Sequence, residues 1–80
     1  MNKALLIRAI NGIFDANNVG SVTAMKTGVA VTNAKNELMY WHEEQDVEKA
    51  QLLANLLSDA VMDRLEGGDG KVDFKEHGLV

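Results

Sequence analysis

The sequence predicts a small α+β domain: a three-stranded antiparallel meander with an N-terminal helix and a long second helix packed on one face, followed by a short C-terminal tail. Three observations lead there. Apolar residues recur at helical spacing near both ends of the chain, the middle alternates with a period of two, and clusters of Asn and Gly punctuate the changes. The expected order is α-β-β-β-α within a single domain spanning residues 1–80.

The first helix is expected over residues 2–17. Leu6, Ile10, Ile13 and Phe14 fall at i, i+4, i+7 and i+8, with Leu5, Ala9 and Ala16 widening that face and Asn2 as N-cap. Gly12 interrupts the pattern at a cost of about 1 kcal/mol relative to alanine. It marks either a weak point or the close approach of another backbone. Asn17, Asn18 and Gly20 end the helix.

Residues 19–25 change period, and β-branched side chains dominate their apolar positions, which predicts a strand. Lys26-Thr27-Gly28 is a turn, residues 29–32 are a second strand, and Asn33-Ala34-Lys35-Asn36 is a polar hairpin loop. A third strand over residues 37–42 places Leu38, Tyr40 and His42 on one face, and Met39 and Trp41 on the other.

The second helix, residues 46–66, is the clearest element. Ala50, Leu53, Leu57, Ala60, Val61 and Leu65 form its stripe, Asp46 caps it, and Gly67-Gly68 stops it. Leu52 and Leu56 flank the stripe and give the helix more apolar circumference than a thin sheet covers, which points to a homodimer or a partner surface. Leu6, Ile10, Phe14, Leu53, Leu57 and Val61 are the expected core. Val72-Asp73-Phe74 reads as a short strand or docked extended segment, with the remaining tail frayed.

Composition bounds the function. The chain is 46% hydrophobic, which excludes a disordered polypeptide, and it has no cysteine, which excludes a disulfide framework and thiolate metal sites. The net charge is −4, made of +2 in residues 1–40 and −6 in residues 41–80. An acidic surface repels phosphate backbones, so direct nucleic-acid binding is not expected. No basic amphipathic stretch speaks for a membrane surface. With no secretory signature, a cytoplasmic location is expected. A small acidic domain is simply soluble, but its acidic half also suits a partner with a basic surface.

Two constellations stand out. The first is Tyr40-Trp41-His42-Glu43-Glu44 running into Asp46, which holds the only Tyr and Trp of the chain. Aromatic side chains beside charge at an element boundary suit a binding surface, and they equally suit a core with polar tips at its rim. The face turned away from the helices is the candidate site, with Trp41 as anchor if it lies there. His42 with Glu44 or Asp46 could form an acid–base pair, but no nucleophile setting accompanies it and no second histidine completes a zinc-protease motif. No catalysis, metal or cofactor is expected.

The second constellation is Asp69, Gly70, Val72, Asp73, Phe74 and Glu76, which resembles the second half of an EF-hand calcium loop. The resemblance implies alternating acidic ligands, a glycine turn and a closing glutamate. The ligand positions of the first half fall on Leu65 and Gly67, which carry no carboxylate, so the segment reads as a glycine-rich turn. The expected function is a non-enzymatic protein-interaction module, an inhibitor or regulator that covers a partner's functional surface. Fold-level analogy places such modules among phage and mobile-element proteins. The alternative is a small-ligand module with a nucleotide or metabolite pocket at a dimer interface lined by Tyr40, Trp41 and His42.

Overall fold

The computed structural model describes residues 3–79. It is α+β, with five short strands and one long helix: β1 (Leu6–Arg8), β2 (Ile13–Asp15), a single 3-10 turn (Ala16–Asn18), β3 (Ser21–Met25), β4 (Gly28–Thr32), β5 (Leu38–Glu43) and α1 (Val47–Leu65). The strands form two antiparallel sheets, β1-β2 and β3-β4-β5.

The expected N-terminal helix is absent among the described residues, and a hairpin replaces it. Ile7 pairs with Phe14 and Arg8 with Ile13, and the Ala9 N–H donates to the Gly12 carbonyl at 2.7 Å around a bend at Ile10-Asn11. The operative period is therefore two. Ile7, Ala9, Phe14 and Ala16 are buried, while Leu6 and Ile13 stand more than half exposed. Leu6 was an expected core residue and is instead on the outer face, and Ile10 is only partly buried. The expected cap, Asn2, lies outside the described residues. Gly12 approaches no backbone: a Cβ there would sit 3.5 Å from the Tyr40 ring, an ordinary contact.

The turn after β2 is held by Asp15, whose Oδ1 accepts from the backbone N–H of Asn17 at 2.9 Å and of Leu5 at 3.2 Å. The bond from Asn17, with a further one from Leu5, lowers the Asp15 carboxyl below its ordinary value of 3.8, against a smaller opposing effect of burial.

The meander is as expected in order, with one irregularity. Val31 pairs with Tyr40 but Thr32 with Leu38, so Met39 is an extra residue in β5. The bulge resets the alternation. Leu38 faces outward and Met39 packs against the core, the reverse of the expected assignment. The β4–β5 loop is closed by Asn33, whose Oδ1 accepts from the N–H groups of Lys35 and Glu37, and by Asn36 in the left-handed region.

Helix α1 matches the expected segment within a residue at each end. Asp46 caps it, accepting from the N–H of Glu48 at 3.0 Å and of Lys49 at 3.3 Å. Its buried stripe is Ala50, Leu53, Ala54, Leu57, Ala60 and Val61, with Leu65 half exposed at the end. The three alanines let the helix lie close over β3 and β4, where Val29 and Val31 are fully buried. The hairpin covers what α1 leaves open: Phe14 packs on Tyr40 with ring centroids 5.7 Å apart. Gly67, with φ +101, ends the helix in a conformation that other residues avoid. The tail then docks rather than frays. Phe74 and Leu79 are buried, and the Leu79 N–H donates to the Phe74 carbonyl at 2.9 Å.

Candidate functional site

Among the described residues, helix and hairpin together cover one face of the β3-β4-β5 sheet and leave the other open. Register sorts the side chains between the two faces. Val22, Ala24, Val29, Val31, Tyr40 and His42 point to the helix and hairpin side. Thr23, Ala30 and Trp41 form one row on the open side, with Met25, Gly28 and Glu43 in the next and Ser21, Thr32 and Leu38 beyond.

Trp41 is the largest side chain on the open face. The far end of its indole lies over Gly28 of β4. A Cβ at Gly28 would come within 2.6 Å of one indole carbon and 2.9 Å of another, and would also overlap the His42 carbonyl. Gly28 is thus the seat of the indole, and Ala30, the cross-strand neighbour, is buried. The ring remains 37% exposed, flanked by Met25 at 52% and Leu38 at 62%. A rigid aromatic side chain seated on a sheet, with its outer side wet and flexible apolar groups beside it, is the arrangement of an interface anchor.

The expected cluster is divided between two surfaces. Tyr40 is buried, with its hydroxyl accepting from the Asn11 N–H at 3.3 Å, and burial raises the phenol above its ordinary 10.0. His42, on the same face, hydrogen-bonds through Nδ1 to the Asn11 side-chain amide at 3.0 Å. Trp41 and Glu43 stand on the open face. Glu44 and Asp46 follow at the connection to α1, and their carboxylates are turned onto backbone: Glu44 accepts from the Asp46 N–H at 3.1 Å, and Asp46 caps the helix. An acid–base pair with His42 is therefore not assembled, because the imidazole is held by a neutral amide and both acids are engaged elsewhere.

From Glu43 on the open face the chain runs through the acidic residues Glu44, Asp46 and Glu48 into α1, and a 2.9 Å bond from the Glu44 N–H to the Thr27 carbonyl holds the start of this acidic edge beside the β3–β4 turn. Sequence reasoning did not place Met25, Leu38 and Gly28 with Trp41. Hairpin parity, counted outward from Trp41 through the two turns, places Met25 and Gly28, but Leu38 needs the bulge at Met39.

In the calcium-loop-like segment, the carboxylates close local turns. Asp69 accepts from the Lys71 N–H at 3.1 Å and Asp73 from the Glu76 N–H at 3.0 Å. Among the described residues, no three His, Cys, Asp or Glu side chains gather as metal ligands, and no helix is long and apolar enough to cross a membrane. No protein-family description, curated protein or solved structure matches the chain.

Proposed function

We propose that the protein is a non-enzymatic interaction module, an inhibitor or regulator that lays the open face of its three-stranded sheet on a protein partner with a basic surface. One observation carries this reading: Trp41 is seated on Gly28 with its outer side uncovered, between the exposed Met25 and Leu38. The anchor is pre-positioned, so little side-chain entropy is lost when a partner covers it. Glu43, Glu44, Asp46 and Glu48 supply the charge that steers a basic partner and fixes its register.

The test uses the intact protein and its Trp41→Ala variant as baits in the host lysate, with identification by mass spectrometry. Because Trp41 is exposed, the variant should keep the far-UV signature of the fold. A partner held by the intact protein and lost with Trp41→Ala is the expected result. Equal capture by both baits, or no protein enriched by the intact one, would overturn the reading. With the partner in hand, emission from Trp41 should shift from that of a solvent-facing tryptophan toward shorter wavelength on binding.

A further inference from the structure

A cleft of about 740 Å³ separates the β1-β2 hairpin from the C-terminal segment, with Leu6, Arg8, Ala9 and Ile10 on one wall and residues 69–75 on the other. That volume lies within the range of small-molecule sites, roughly 300–1,000 Å³. The register that buries Ile7 turns Leu6 outward into this space, where Ile10 and Val72 add further apolar surface.

Both walls are fastened to the end of α1. Arg64 donates from Nε to the Leu6 carbonyl at 3.3 Å and from Nη1 to the Gly68 carbonyl at 3.0 Å, so one guanidinium ties the hairpin to the tail. Asp63 accepts the Gly70 N–H at 2.9 Å, which fixes the second wall. A cleft braced this way is largely formed before any ligand arrives.

Its charge runs against that of the whole molecule. Arg8, Lys71 and Lys75 line it in a chain of net charge −4. The two lining carboxylates, Asp69 and Asp73, already accept backbone N–H groups in their own turns. Arg8, Lys71 and Lys75 offer charged donors that suit a carboxylate, and the apolar lining suits a hydrocarbon body.

We propose that this cleft binds a small amphipathic carboxylate, its hydrocarbon part over Leu6, Ile10 and Val72 and its charged end among Arg8, Lys71 and Lys75. The site is separate from the open sheet face and does not depend on it.

The experiment is a titration of the intact ¹⁵N-labelled protein, followed by amide chemical shifts, with octanoate, octanol and octylamine as probes. Octanoate should give saturable shifts at the amides of Ala9, Ile10 and residues 70–75, while octanol and octylamine bind at least about tenfold more weakly, as loss of a charge-assisted contact predicts. Arg8→Gln and Lys71→Gln, both at exposed positions, should each weaken octanoate by about tenfold on the same grounds. Trp41→Ala should leave octanoate binding unchanged, which separates this site from the interaction surface. Equal binding of octanol, shifts scattered over the sheet and helix, no saturation, or variants that bind as the parent does would each overturn the proposal.

Discussion

Gly28 and Tyr40 show how single residues set the two faces of the sheet. At Gly28 a methyl group would overlap the Trp41 ring and the His42 carbonyl, and backbone cannot yield as a flexible side chain can. Gly28→Ala is expected to cost about 1–3 kcal/mol by overpacking and to displace the indole, read together as a lower urea midpoint and a changed Trp41 emission. At Tyr40 the ring packs on Phe14 while the hydroxyl takes one bond of 3.3 Å from Asn11. Tyr40→Phe keeps the packing and loses that bond, for about 0.5–1 kcal/mol at neutral pH, since the bond is long. The phenol adds a pH dependence. Burial raises its folded value above 10.0, so the neutral form is favoured in the native state. Stability is fully present below the unfolded value of 10.0 and is lost as pH rises through the folded one. Urea midpoints measured across that range should fall more steeply for the parent than for Tyr40→Phe. Parallel curves would show that the phenol does not carry the effect.

At the scale of elements, what was legible in the sequence depended on how much each segment insists on one period. Helix α1 repeats its stripe over five turns and carries a cap and a stop, so its sequence and its structure agree to within a residue. The hairpin is too short to insist. Leu5 to Ile10 contains only one charged residue, and such a run fits either period. The coincidence of Leu6, Ile10, Ile13 and Phe14 at helical spacing carries the helix expectation, while the bend at Ile10-Asn11 has no residue of positive φ to mark it. Gly12, in the helical reading a weak point or a close backbone approach, instead closes the bend with its carbonyl, which accepts from the Ala9 N–H. The bulge at Met39 had no local marker at all, since it arises from fitting β5 to β4. Alternation sets Trp41 opposite Tyr40 and His42 but leaves open which face the helices cover, and the apolar groups around it depend on strand pairing. The end of the C-terminal tail departs from expectation: Phe74 is docked, as one of the two readings of its segment has it, but Leu79 beyond it is buried too rather than frayed, which no local pattern reveals. Few bonds hold it, so it should open on its own. Phe74→Ala is expected to cost about 3 kcal/mol locally, seen in hydrogen exchange as lost protection at the Leu79 amide. Protection at Val31 and Leu57 should persist, because those residues sit in the fully buried layer between helix and sheet. Uniform loss across all three would show that the tail belongs to the global folding unit.

The whole molecule is a slab, 39 × 28 × 17 Å, thin because a single helix and a hairpin back a single sheet. Its open face is small. Three strands about 4.8 Å apart and five residues long at about 3.4 Å per residue give a flat footprint of roughly 250 Å², against about 800 Å² of accessible surface per partner in a standard interface. Trp41 and its neighbours can supply the anchor of a contact, but a stable contact has to extend past the rim, and the nearest rim is the acidic edge. That geometry separates the two occupants the sequence suggested, a basic partner and a second copy of the chain. Each copy carries −4, so self-association brings like charges together, while a basic partner brings opposite ones. Salt screens both, with a Debye length near 10 Å at 0.1 M and near 3 Å at 1 M. Raising the salt should therefore weaken binding of a basic partner, chiefly by slowing association, and should strengthen any pairing of the chain with itself. Sedimentation of the protein alone at low and high salt, set beside the salt dependence of partner affinity, reads both signs in one series. Glu43→Lys supplies the control. It reverses one charge on the edge beside Trp41 without touching the core, so it should cut the partner's association rate several-fold at low salt and converge on the parent at high salt. A partner whose affinity rises with salt, or ignores Glu43→Lys at every salt, would be held by the apolar face alone, and the acidic edge would then have no part in choosing it.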